Sequence, residues 1–110
     1  MAIVTPFGPN FSKTKTLSAS QTTASVTLDA TDVGTAATGG GANAIRIVNA
    51  GPNIAFVRWG TGVQTAVTTD MPLMAGTVEV FAKPATADTV AAICSSGQTA
   101  TLYVTGGEGS

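Results

Sequence analysis

Nowhere does this chain sustain apolar residues at spacings of three and four through three helical turns, which confines it to folds built from strands. It offers instead a series of short segments in which apolar and small polar residues alternate. Each segment is closed by glycine, proline, asparagine or aspartate. About eight such strands at near-regular spacing predict an all-β protein, a single antiparallel β-sandwich or jelly-roll-like domain, with a small barrel as the alternative.

The alternation is explicit along the chain. Ala24, Val26, Leu28 and Ala30 share one side of the first regular segment, with Ser25, Thr27 and Asp29 on the other. In the centre, Ala44-Ile-Arg-Ile-Val-Asn49 and Ile54-Ala-Phe-Val-Arg-Trp59 read as strand, turn, strand about Gly51-Pro52-Asn53. Both faces of the second strand are largely apolar, which suits an interior strand or one covered by a neighbouring subunit. Val63 to Thr68, Val78-Glu-Val-Phe81, Val90-Ala-Ala-Ile-Cys94 and Thr99 to Thr105 complete the set, and the last is expected to pair with the strand before it. Residues 1–20 differ in character: Pro6, Gly8 and Pro9 exclude a helix and disfavour a central strand, while Phe7 and Phe11 supply two large rings. The expected organisation is an extended N-terminal arm over 1–20, docked on its own domain or on a neighbour, and a β-sandwich domain over 21–110.

Composition narrows the chemistry. The chain has no histidine, one cysteine, five basic and six acidic residues, and proton-transfer catalysis normally clusters such groups. Asp70, Glu79 and Asp88 are the only carboxylates worth weighing as a glycosidase-like pair, and their spacing favours no such pairing. Asp29 and Asp32 lack the repeated oxygen donors of a calcium loop and read as turn carboxylates. Gly39-Gly-Gly41 precedes a strand and has no phosphate-loop lysine, so it reads as a surface loop. Cys94 has no histidine to activate it and reads as a core residue. We therefore expect no enzyme, no cofactor and no metal. Lys13 and Lys15 are the only basic residues close together, which argues against nucleic acid. Thr89 to Gly107 is uncharged but broken by Ser95-Ser-Gly-Gln-Thr99, and the start of the chain lacks signal-peptide character, so no membrane partner is expected. Much of the apolar content is alanine, which predicts a modest core reinforced by assembly.

The side chains left for surfaces are few. Phe7 and Phe11 are candidate partner contacts on the arm. Arg58 either reaches a partner or pairs with Asp70 or Glu79, and Met71 and Leu73, beside Pro72, are adaptable contact surface or core filling. Trp59 and Tyr103 would be the aromatic platforms of a carbohydrate site, though their strongly alternating strands suit a core role.

Four stretches together point further. Ile45-Arg-Ile-Val-Asn-Ala-Gly-Pro-Asn53, Ala55-Phe-Val-Arg-Trp-Gly60, Thr69-Asp-Met-Pro-Leu73 and Ala100-Thr-Leu-Tyr-Val-Thr-Gly-Gly-Glu-Gly109 resemble small virion structural proteins of tailed bacteriophages, most of all capsid decoration proteins, also called cement or stapling proteins. The resemblance covers roughly residues 44 to 109. It implies a jelly-roll-like domain that forms a homo-oligomer, dimer or trimer, and binds the outer surface of the major capsid protein shell. It implies a virion-exterior protein made in the host cytoplasm, with no catalytic residues to carry over. Similar domains occur in phage tails and head fibres, so the alternative is a tail- or fibre-associated module that binds a host carbohydrate or receptor.

Overall fold

Four antiparallel strand pairs, nested one inside the next, organise the molecule. The computed structural model describes residues 7–29, 33 and 42–108. Within them run nine strands: β1 (Gly8–Pro9), β2 (Lys15–Ala19), β3 (Ala24–Thr27), β4 (Ala44–Pro52), β5 (Ala55–Gly60), β6 (Met71–Leu73), β7 (Val78–Ala82), β8 (Thr89–Ile93) and β9 (Ala100–Glu108). β2 pairs with β9, β3 with β8, β4 with β7 and β5 with β6. One long hairpin folded at β5–β6 and rolled up would contain these four pairs. Two further pairings, β4 with β9 and β5 with β8, close the roll into two sheets. Sheet A has the order β2-β9-β4-β7, with β1 continuing along β9 beyond β2, and sheet B has the order β3-β8-β5-β6. This is the jelly-roll form of an antiparallel sandwich.

Side-chain period places the core between the sheets. Ile45 and Ile47 on β4, Leu102 and Val104 on β9, and Leu17 on β2 face Val57, Leu73, Val90 and Ala92 from sheet B. Alanine at 19, 55 and 100, with Leu28 and Cys94, fills the remaining core positions. Trp59 and Phe81 close one pole, with their ring centroids 5.0 Å apart.

Two expected features are corrected. β9 does not pair with the preceding β8: they lie in different sheets, as do β4 and β5 around Gly51-Pro52-Asn53. Alternation assigns a residue to a face but names no neighbouring strand, so the last strand reads as the partner of the one before it although the chain crosses between layers there. Val63–Thr68 is not a strand among the described residues. It belongs to a loop whose backbone is held by side chains instead of a ladder. Within the segment expected as an N-terminal arm, residues 8–9 of β1 and 15–19 of β2 pair with β9, with Leu17 and Ala19 in the core, while residues 1–6 lie outside the described residues.

Asn49 controls the pole where the chain passes between sheets. It is fully buried, and its Nδ2 donates to Leu73 O (2.8 Å) and Asn53 O (3.0 Å). Its Oδ1 accepts the N–H of Gly51 (2.8 Å), which has φ +90° and precedes a cis Gly51–Pro52 bond. Its own N–H donates to Thr77 O (2.9 Å) and its carbonyl accepts the N–H of Gly76 (2.7 Å). One residue thus ties β4, the β4–β5 turn, β6 and the β6–β7 turn. A buried group stripped of its partner costs about 1–3 kcal/mol. Asn49→Ala strips several at once, so we expect at least about 2 kcal/mol of lost stability, read as a lower urea midpoint at unchanged slope. Asn49→Asp should be worse than Ala, because a carboxylate oxygen would face two carbonyls.

Candidate functional site

The two outer faces of the sandwich are treated differently, and that difference locates the candidate surface. On sheet B, the loop of residues 61–70 is laid across the strands. Arg58 points outward from β5, donates to Thr65 O (3.3 Å) and faces Asp70 across 4.0 Å. Asp70 in turn accepts the N–H of Val67 (2.8 Å), and Ala66 N–H donates to Thr23 Oγ1 (2.8 Å) beside β3. Beneath this loop Ala91, an outward position of β8 in register with Arg58, is fully buried, as is Ala66. Arg58 is therefore a clasp for the cover of sheet B.

Nothing among the described residues covers the outer face of sheet A in the same way. Strand register sets its rows: Thr16, Tyr103, Val48 and Val78 form one, and Thr105, Arg46 and Val80 the next. Tyr103, Val78 and Val80 are each at least 40% exposed. The β2–β9 side is hydroxyl-rich, with Thr14 Oγ1 and Thr105 Oγ1 2.7 Å apart, and the β4–β7 side is aliphatic. Arg46 is the single basic group in these rows. It is exposed and has no ion-pair partner among the described residues.

The residues expected to contact a partner fall in separate places. Phe7 is half-buried with its ring over Gly107, where an added Cβ would strike the ring (2.7 Å) and the backbone of Gly8. Phe11 is 83% exposed, at the tip of the turn between β1 and β2. That tip is anchored by Asn10 N–H to Gly106 O (2.9 Å) and by the Lys13–Asp29 ion pair (3.6 Å) nearby. Met71 is 36% exposed on edge strand β6. Leu73 is not contact surface: it is fully buried opposite Ala55, because its position on β6 faces the other sheet. The core role expected of Trp59 holds in part, for it packs partly buried against the core, but Tyr103 points out of sheet A. The sequence reading missed Arg46, Val48, Val78 and Val80. Their signal was Val48 on β4 and Val78 and Val80 on β7, apolar residues on the face opposite Ile45, Ile47 and Phe81, of which a single sandwich buries only one.

The carboxylates serve local structure. Asp88 accepts the N–H of Gly62 (2.9 Å) and the Thr89 hydroxyl (2.9 Å), and these bonds hold its carboxyl below the usual range. Lys83 is buried in the adjoining loop, with Nζ donating to the carbonyls of Pro84, Ala85 and Ala87. Burial pushes the Cys94 thiol up. No group of three or more Cys, Asp or Glu that could hold a metal ion occurs among the described residues. No helix there is long and apolar enough to cross a membrane. The Gly39-Gly-Gly41 loop and Asp32 lie outside the described residues.

No protein-family model, no curated protein and no solved structure matches the chain.

A carboxyl with a lowered folded-state pKa stabilises the fold above its ordinary value, here 3.8, and loses that contribution as pH falls through the folded value. Asp88→Asn should therefore be less stable than the parent at pH 7. Urea midpoints should show that gap closing below 3.8, where the parent carboxylate protonates. A gap independent of pH would show that the Asp88 charge contributes nothing.

Proposed function

We propose that this protein is a non-enzymatic structural protein of a phage virion that decorates the head, binding the outer surface of the major capsid protein lattice and stabilising it. The observation that carries this reading is the asymmetry of the two faces. A loop clasped by Arg58 covers sheet B, while sheet A presents a face graded from hydroxyl to aliphatic, with Phe11 displayed at the turn between its edge strands β1 and β2. Such a face suits a broad surface partner better than a small ligand. Large ring anchors at a rigid, desolvatable position contribute most to such contacts, and many copies on one lattice gain from high effective concentration. The jelly-roll fold itself is shared by capsid proteins, lectins and other families, so it supports the reading without selecting it. The stretches between 44 and 109 that resemble decoration proteins add the virion context.

One observation favours the second reading, a tail- or fibre-associated module binding a host carbohydrate. Tyr103 is an exposed ring on an open face with Arg46 two positions away across the β4–β9 pairing. Sugars stack on such platforms. A change in tyrosine or tryptophan emission with host polysaccharide, lost in Tyr103→Ala, would favour this reading over the first.

The decisive measurement is the copy number of this chain in purified particles, by quantitative mass spectrometry against the major capsid protein. The decoration reading expects a large, simple fraction of the shell subunits, and a handful of copies would overturn it in favour of the tail. On isolated shells, Phe11→Ala should reduce co-sedimentation by about tenfold or more, as expected for an aromatic anchor, with an unchanged far-UV β signal. Binding equal to the parent would remove Phe11 from the contact.

A further inference from the structure

Among the described residues, strand β7 is an edge of sheet A with no strand beyond it. Its ladder with β4 is bracketed by two backbone bonds in the same register, Asn49 N–H to Thr77 O (2.9 Å) and Lys83 N–H to Asn43 O (3.0 Å). Antiparallel ladders alternate hydrogen-bonded with non-bonded pairs. The odd-numbered residues of β7 therefore turn their amides toward β4, and Val78, Val80 and Ala82 turn theirs away. No described residue meets them there.

Proteins usually blunt such edges with proline, lysine or a covering loop, and the other edges here are blunted. β6 contains Pro72, β1 contains Pro9, β2 begins at Lys15, and the entrance to β3 is bridged by the 61–70 loop at Thr23. β7 carries only Glu79. Eight large hydrophobic residues are exposed among the described residues, and four of them, Met71, Met74, Val78 and Val80, lie on β6, β7 or the turn between them.

We propose that β7 is a self-recognition strand, along which a second copy of this chain pairs antiparallel about a two-fold axis at Val80. Sheet A then runs unbroken through both copies. This register sets Val80 against its counterpart and Val78 against Ala82, engaging all three outward-facing residues of each strand. Sliding one way brings Glu79 opposite Glu79 of the second copy, a like-charge pair that destabilises. Sliding the other way leaves Val78 without a partner strand. In the chosen register the two Arg46 side chains stand three strand spacings apart, about 14 Å, beyond a Debye length of about 8 Å. They impose little repulsion.

The contact is a strip about 17 Å long, from five residues at about 3.4 Å each. It covers less than the roughly 800 Å² per partner of a durable complex. The pairing is therefore reversible in dilute solution, and it tightens where copies are held side by side. It does not depend on which surface the protein decorates.

Cysteine scanning of the purified full chain tests it. Val80→Cys should form a covalent dimer under mild oxidation, because facing residues of a hydrogen-bonded pair have Cα atoms about 5.5 Å apart, within disulfide range. Cys94 is buried and should not compete. Ala82→Cys alone should not cross-link, since its counterpart sits about 14 Å away, but mixed with Val78→Cys it should. In sedimentation equilibrium the parent should show concentration-dependent dimer, and Val80→Lys should be monomeric with an unchanged β signal. Equal cross-linking of Val80→Cys and Ala82→Cys, or a parent that stays monomeric at its solubility limit, overturns the proposal. Neither result touches the decoration reading, because no shell is present.

Discussion

A single buried amide holds the pole where this chain passes from one sheet to the other. Asn49 spends its side chain on Gly51, Asn53 and Leu73 and its backbone on Gly76 and Thr77. A jelly roll needs such a point, because nearly every connection crosses between layers and each crossing takes backbone amides out of a ladder. Neighbouring turns are tied in the same way. Gly97 N–H donates to Gln21 Oε1 (2.9 Å), Asn53 Nδ2 to Thr99 O (3.0 Å) and Cys94 N–H to Ser20 O (2.7 Å). Four turns thus behave as one polar cap over a core of medium and small side chains.

The opposite pole is built on charge and rings. Asp88 joins the loop after β5 to the loop before β8, with Thr61 Oγ1 donating to Thr86 O (3.0 Å) alongside. Lys83 satisfies three carbonyls in a tight loop, and Trp59 stacks obliquely on Phe81 beneath. Scarce charge is therefore committed to local geometry: Arg58, Asp70, Lys83 and Asp88 all hold loops. With those groups engaged and sheet B covered, the surface left for partners is the open face of sheet A, its Phe11 corner and the β7 edge. Face and edge are orthogonal directions on one domain. A protein with both can lie on a surface and contact a like neighbour at once.

Much of this was legible in the residues. Alternation located β4, β5, β7, β8 and β9 and excluded helices, and Gly51-Pro52-Asn53 marked a reversal. Cys94 as a buried core residue followed from the lack of any activating partner. The errors have physical causes. Val63 and Val67 alternate like a strand, yet the backbone between them is held by Thr23 and Asp70, partners distant in sequence or outside any ladder pattern. Leu73 and Met71 sit two apart on one short strand and face the same way, but only Leu73 lies deep enough between the layers to be buried.

By itself, then, the sequence determined the class of element and the two faces of each strand, because the period of two is a local property of the backbone. Tertiary structure alone decided which of two apolar faces is buried. Ile45 and Ile47 face the core while Val48 faces out, and Leu102 and Val104 are buried while Tyr103 between them is exposed. That choice depends on which strand lies opposite, and strand partners here are separated by up to 100 residues (108 minus 8), as Gly8 and Glu108 are. No local pattern carries information over that distance. The proposed contact surface, being what the packing leaves uncovered, could emerge only once the roll had closed.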